Sequence, residues 1–388
     1  MKRWVILVTI PFLFLGTTAP AAADHVDLAE LYQILPWDSL HTITNPKFND
    51  HPYVAPSEIV FGVSIGDESH TYPEKLMNYH EVIDDVVGGV PVVVAYCPLC
   101  GVAIAYERTV SGTVLTFRTS GYLYRNNKVL FDVQTGSLWP MILGEAINGT
   151  YHGTRLRIVT TSRLPFTEWT GLHPDAKVVA RPWGPVLCPL PCPIPFGFDG
   201  YDVNPYADYQ AGNRTYAPVK NPDERLHPKT YVVGLEFGGD AWAVAFPDLL
   251  ARRAINATVG GFPLVVALWV NSSQGAFPTT SAHVYRRGPA TTFTVDPVAN
   301  ALVDEPGNRY AIQTGVGANG ELEPVQFFYG FWFAWHDHHP ETRLFGFEPP
   351  APSPFLDATS AAILAVVGGS VVAAVVLRWR LRGRGRSG

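Results

Sequence analysis

Two thiols two residues apart, Cys97-Pro98-Leu99-Cys100, stand between a run of buried-strand character, Val90-Pro-Val-Val-Val-Ala-Tyr-Cys97, and a glycine, Gly101. Three chemistries use that spacing. Both thiolates can point into one pocket as part of a zinc or copper site, with Gly101 allowing a positive φ. One thiol can attack a disulfide while the other resolves the mixed intermediate. In an oxidising compartment the pair can also be a closed, inert disulfide. The residues after Cys100, Val102-Ala-Ile-Ala-Tyr-Glu107, alternate as a strand. No helix is therefore expected to begin at the thiols and lower their pKa, as it would in a thioredoxin-like site.

A second stretch, Gly260-Gly-Phe-Pro-Leu-Val-Val-Ala-Leu-Trp269, repeats the strand of Gly88 to Cys97 but has Trp269 in place of Cys97. At the same spacing Arg252-Arg253 stand where His80-Glu81 precede the thiols. Loss of the cysteines together with His80 and Glu81 links all four to one site. The expected metal set is Cys97, Cys100 and His80, with Glu81 as fourth ligand or as a carboxylate behind the ligands. Cys188 and Cys192 enclose Pro-Leu-Pro and read as a local disulfide in preference to two further metal ligands. His336, Asp337 and His338 read as solvated loop side chains, and Asp132 to Trp139 as an Asx-type turn followed by an aromatic anchor.

The elements that must position these residues follow a doubled order. From Ile59 the chain reads strand, turn, a helical stretch from Pro73 to Val87, Gly88-Gly89, and the strand into Cys97. From Tyr231 the same order returns, with a helical stretch from Pro247 and a strand into Trp269. Both series close on Trp-x-x-x-His-Pro-acid, at Trp169 to Asp175 and Trp335 to Glu341. The expected fold is β-rich α+β, two tandem homologous halves packed together, with one C-terminal transmembrane helix. The expected divisions are a lead-in over 24–56, in which Leu28 to Leu35 reads as a short helix, a first repeat over 57–182 and a second over 229–347. An aromatic, proline-rich connector over 183–228 joins them.

At the N-terminus Met1-Lys2-Arg3, an apolar run and Ala21-Ala22-Ala23 read as a secretory signal over 1–23. At the other end a proline-rich spacer over 348–357 precedes an uncharged run over 358–377, long enough for one span, and an arginine-rich tail over 378–388. The positive-inside rule places that tail in the cytoplasm and everything before it outside, so the membrane is the expected partner. Of the net charge of −6, the five tail arginines with Lys2 and Arg3 contribute +7, leaving −13 on the segment between. Such a surface repels nucleic acid, and no nucleic-acid motif is present. Nor is there a phosphate loop.

Tyr96-Cys97-Pro98-Leu99-Cys100-Gly101, Ser120-Gly121-Tyr-Leu-Tyr124, Asp132-Val-Gln-Thr-Gly136-Ser137-Leu-Trp139 and Gly144-Glu-Ala146 together resemble the family catalogued as domain of unknown function 3179. His80-Glu81, Asn204-Pro205-Tyr206-Ala-Asp-Tyr209 and Phe331-Trp332-Phe333-Ala334-Trp335 look like its other marks. The resemblance implies an extracytoplasmic protein bearing Cys-Pro-x-Cys, and assigns no activity. Three functions follow as expectations: binding of a thiophilic metal ion, thiol-disulfide exchange, or a cell-surface binding module with structural disulfides.

Overall fold

The computed structural model describes residues 28–49, 53–182, 200–271 and 279–347, and in them the chain is rich in strand with a few short helices. The first series opens with a hairpin, Ile59–Ile65 against Glu68–Pro73, followed by the helix Glu74–His80. That helix stops seven residues short of the Val87 end read from sequence. Glu81 takes a left-handed conformation (φ 58°) and its N–H closes on Met77 O at 3.0 Å, which caps the helix. The β-branched run that follows is the strand Val82–Val87. Gly88 and Gly89, both at positive φ, turn it back as Val90–Cys97. The lead-in also differs: Leu28–Glu30 is one 3-10 turn, and Leu31–Gln33 is an edge strand on Tyr122 to Tyr124.

The second series has the same elements in the same order: Tyr231–Phe237, Asp240–Ala245, the helix Phe246–Arg252, Ala254–Val259 and Phe262–Asn271. Each begins 172 residues after its counterpart. The sheets agree as well. Thr161–Pro165 flanks the first hairpin antiparallel and Lys177–Val179 parallel; Phe328–Phe331 and Arg343–Leu344 flank the second in the same senses. In each sheet a strand glycine lies under a tryptophan from the closing helix, Phe166–Leu172 in the first and Trp332–His338 in the second. A Cβ on Gly62 would stand 2.5 Å from the Trp169 ring, and one on Gly234 2.7 Å from the Trp335 ring.

The strand Val90–Cys97 is buried on both faces and divides two cores. Val92, Val94 and Tyr96 face Phe61, Leu76, Tyr79 and Tyr201. Val93, Ala95 and Cys97 face the other core, with Trp139, Trp332 and Trp335. Val232, Ala243 and Phe331 to Trp335 belong to that second core, so both series bury apolar surface together. Of the connector, Tyr201, Tyr206 and Tyr209 are buried against the first series. The segments read as signal, spacer, spanning helix and tail, and Cys188 and Cys192, lie outside the described residues. Among the described residues no helix is long and apolar enough to cross a membrane.

Candidate functional site

The two thiols sit at the tip of a β-hairpin. Val90–Cys97 turns back through Cys97 to Gly101 and pairs with Val102–Glu107, Cys97 opposite Val102. The turn is closed by Cys100 N–H and Gly101 N–H, both donating to Cys97 O, at 3.2 and 2.8 Å. Gly101 is required twice over: its φ is +70°, and a Cβ there would lie 3.0 Å from Tyr231 Cε1. Three carbonyls of the turn are held from outside. Gln210 Nε2 donates to Pro98 O at 3.2 Å and the Tyr209 hydroxyl to Leu99 O at 3.0 Å. Phe331 N–H donates to Cys100 O at 2.9 Å. The connector and the second series thus fix the loop that carries the thiols.

Both cysteines are free and buried, and their surroundings differ. Burial opposes ionisation of Cys97, but the Cys100 thiol and the N–H groups of Cys100, Lys128 and Leu99 stabilise its thiolate and bring its pKa below the ordinary thiol value. Burial and the neighbouring Cys97 sulfur push Cys100 well above it. The Asn127 amide donates to Cys100 Sγ at 3.2 Å, and its oxygen accepts from Ile142 N–H at 2.8 Å, which orients it. The two thiols are therefore unequal, Cys97 ionising more readily than Cys100.

Glu81 reaches the same side of the strand. Its left-handed cap swings the carboxylate to Lys128 Nζ, and the Tyr206 hydroxyl donates to the other oxygen at 2.9 Å. Burial pushes the Lys128 ammonium down to about 7, and the Glu81 carboxylate beside it favours the charged form. Glu81, Lys128, Tyr206 and Cys97 line one cavity of about 40 Å3, with Leu35, Pro98 and Tyr122 among its other lining residues. That is room for a water or two.

His80 lies elsewhere. Its Nδ1 faces His41 O at 2.7 Å and its Nε2 faces the Tyr201 hydroxyl at 2.6 Å, so Nδ1–H donates and Nε2 accepts. It stacks with Tyr201, which belongs to the core on the opposite face of the strand from Cys97. The four residues linked by sequence are thus divided: Cys97, Cys100 and Glu81 share a site, and His80 is a hydrogen-bonded core histidine. Among the described residues no group of three or more His, Cys, Asp or Glu side chains is placed to hold a metal ion.

His336, Asp337 and His338 are not solvated loop residues. They end the helix Trp332–His338, where His336 and Asp337 are buried. Asp337 accepts from Asn126 Nδ2 at 3.1 Å and Asn221 N–H at 2.8 Å, and His336 Nδ1 meets Asn221 O at 2.9 Å. The cluster clasps the connector to both series. Asp132 accepts from Thr135 N–H at 2.6 Å and from Trp139 Nε1 at 3.0 Å, a turn with its aromatic anchor. Lys128, Asn127 and Lys229 were not singled out from sequence. The one signal for Lys128 is a lysine inside Asn127-Lys-Val-Leu-Phe-Asp132, a strand buried at every position.

A family model described as a protein of unknown function, DUF3179, matches residues 38–342. No curated protein and no solved structure matches the chain.

Proposed function

Because this chain belongs to the DUF3179 family, whose description assigns no activity, we propose its function from the site itself: thiol-disulfide exchange at Cys97 and Cys100. The observation that carries this is a free, buried thiol pair on one hairpin turn, with Cys97 lining a cavity beside Glu81 and Lys128 and the Cys100 sulfur held by the Asn127 amide. The Cys97 thiolate attacks one sulfur of a substrate disulfide, forms a mixed disulfide and releases the other half as a thiolate. The released substrate thiolate takes up the Cys100 proton, and the Cys100 sulfur attacks Cys97 Sγ. The Cys97–Cys100 disulfide closes, the second substrate thiolate leaves, and the substrate has gained two electrons. A dithiol from another molecule restores the reduced pair. Since Cys97 lines that narrow cavity, a small or extended disulfide is the substrate class.

The zinc reading would need a third and a fourth ligand, whereas His80 and Glu81 are each engaged by other partners. A soft monovalent copper ion held by the two sulfurs alone remains chemically compatible and is an outcome of the test. Cys100→Ser protein treated with a small aromatic disulfide should accumulate a mixed disulfide at Cys97, located by peptide mass spectrometry. Stoichiometric copper in the purified chain, with no mixed disulfide, would replace redox exchange with metal binding.

We place the site outside the cell on a single-pass anchor, from the apolar run over 358–377 and its arginines. Protease added to intact cells should remove the ectodomain and spare a C-terminal tag. We also read the two series as copies of one unit, supported by the constant spacing of 172 and by matching sheet order. One rigid superposition of 59–97 on 231–269 should then bring Trp169 near Trp335.

A further inference from the structure

Lys229 enters the second series just before the strand Tyr231–Phe237, and it is buried. Its ammonium has no hydrogen-bond partner among the described residues. Aromatic faces surround it instead: Nζ stands 3.2 Å from the Tyr209 ring centre, 4.5 Å from that of Phe333 and 5.5 Å from that of Phe331. Ring faces attract a cation but do not replace its hydration, so a buried ammonium without hydrogen bonds calls for an anion nearby. The cage is built on the thiol turn. Tyr209 bonds Leu99 O, Phe331 bonds Cys100 O, and the Tyr209 and Phe331 side chains share a core with both thiols.

We propose that Lys229 is the counter-cation of the Cys97–Cys100 pair, supplied by the second series to stabilise the thiolate on which exchange depends. This rests on the redox reading above and adds to it a residue that touches no substrate. The ionisable groups acting on the ammonium agree. Burial pushes it down to about 7, the Cys100 and Cys97 sulfurs pull it back up, and Arg214 pushes it down. The cage also gives the second series, which lacks thiols of its own at this place, a part in the chemistry of the first.

The test uses the full chain and follows Cys97 alkylation by iodoacetamide against pH, with the labelled peptide identified by mass spectrometry. Lys229→Met keeps the apolar stem and removes the charge. It should raise the alkylation midpoint by about one pH unit, which is about tenfold slower labelling at pH 7. Against glutathione buffers the dithiol should lose about tenfold in relative stability, about 30 mV toward a more reducing couple. Lys229→Arg should restore most of both. Phe333→Leu, which lets water reach the ammonium and keeps its charge, should move the midpoint the same way by less, and serves if Lys229→Met does not fold. A profile unchanged in folded Lys229→Met, or a failure of arginine to rescue, would overturn the proposal and leave Lys229 a packing residue. A wild-type chain that forms no reversible Cys97–Cys100 disulfide would instead overturn the redox reading, with the alkylation profile still judging Lys229.

Discussion

His80 and Glu81 are adjacent in sequence and serve different cores, because the backbone between them leaves the helix through a left-handed residue. That single φ decides which one meets the thiols. Burial pushes the His80 imidazole down to about 4, although its bond to His41 O favours the charged form, so it is a neutral, doubly bonded strut at neutral pH. His80→Ala leaves His41 O and the Tyr201 hydroxyl without their partner. It should cost on the order of 2–4 kcal/mol while the Cys97 alkylation profile stays in place, as urea unfolding and thiol labelling on the same sample can show. Glu81→Gln should behave in the opposite manner. It strands the buried Lys128 ammonium, costs about 3 kcal/mol and shifts thiol reactivity; adding Lys128→Met should recover much of the stability. If His80→Ala shifts the thiols as much as Glu81→Gln does, the division of the two residues is wrong.

At the scale of elements, the repeated glycine under tryptophan is the contact that docks each closing helix on its sheet. Trp169 covers Gly62 and packs tilted against His173, ring centres 4.1 Å apart; Trp335 covers Gly234 and packs tilted against His339 at 4.0 Å. A single methyl group at either glycine would meet ring atoms well inside contact distance. Gly62→Ala and Gly234→Ala should therefore each destabilise by about 1–3 kcal/mol, by similar amounts, read as the shift in urea midpoint at constant m-value. One tolerated and one disruptive substitution would count against the two sheets being equivalent. The strand Val82–Val87 shows another property of the element. Its apolar pattern is interrupted by Asp84 and Asp85, both buried on a sheet covered on both faces. Asp85 is bonded to His70 and Tyr72, each at 2.7 Å; Asp84 accepts Phe117 N–H at 3.0 Å and has Arg108 at 3.9 Å. The stretch reads as helical from sequence, yet a covered strand satisfies Val82, Ile83, Val86 and Val87 equally.

For the whole molecule, buried titratable groups set the response to acid. Burial pushes His80 and His339 down to about 4 and His338 to about 3, so the folded chain refuses protons that the unfolded chain takes up below pH 6.5. Burial raises Asp84 to about 7, opposed by Arg108, so the folded chain keeps a proton that the unfolded one has lost above pH 4. Stability held by the histidines is present above pH 6.5 and lost toward pH 4. That held by Asp84 has the opposite sign and is lost as pH rises toward 7. Between pH 6.5 and 4 the unfolded state binds about two more protons, and stability should fall by ~3 kcal/mol per pH unit on acidification. Urea midpoints at pH 6.5, 5.5 and 4.5 measure this; a flat or rising series would show that the histidines are hydrated in the fold.

Strand content, the doubled order of elements, the family and the thiol pair were legible in the residues themselves, because period-two alternation, glycine pairs and Cys-x-x-Cys act over a few neighbouring positions. Gly88-Gly89 specifies its turn whatever lies beyond it. The partners of the thiols were not legible in that way. Lys128 stands 31 positions after Cys97, Tyr206 and Tyr209 more than a hundred, and Lys229 in the other series. The doubling pointed to His80 along with Glu81, since both differ from Arg252-Arg253, but correlated difference carries no direction in space. Which side of a strand a residue reaches depends on the φ of Glu81, and which cation faces the sulfurs depends on how two sheets and a connector close over one hairpin tip. Only tertiary packing decides these, because burial is what holds an ammonium, a carboxylate and two sulfurs within reach of one another.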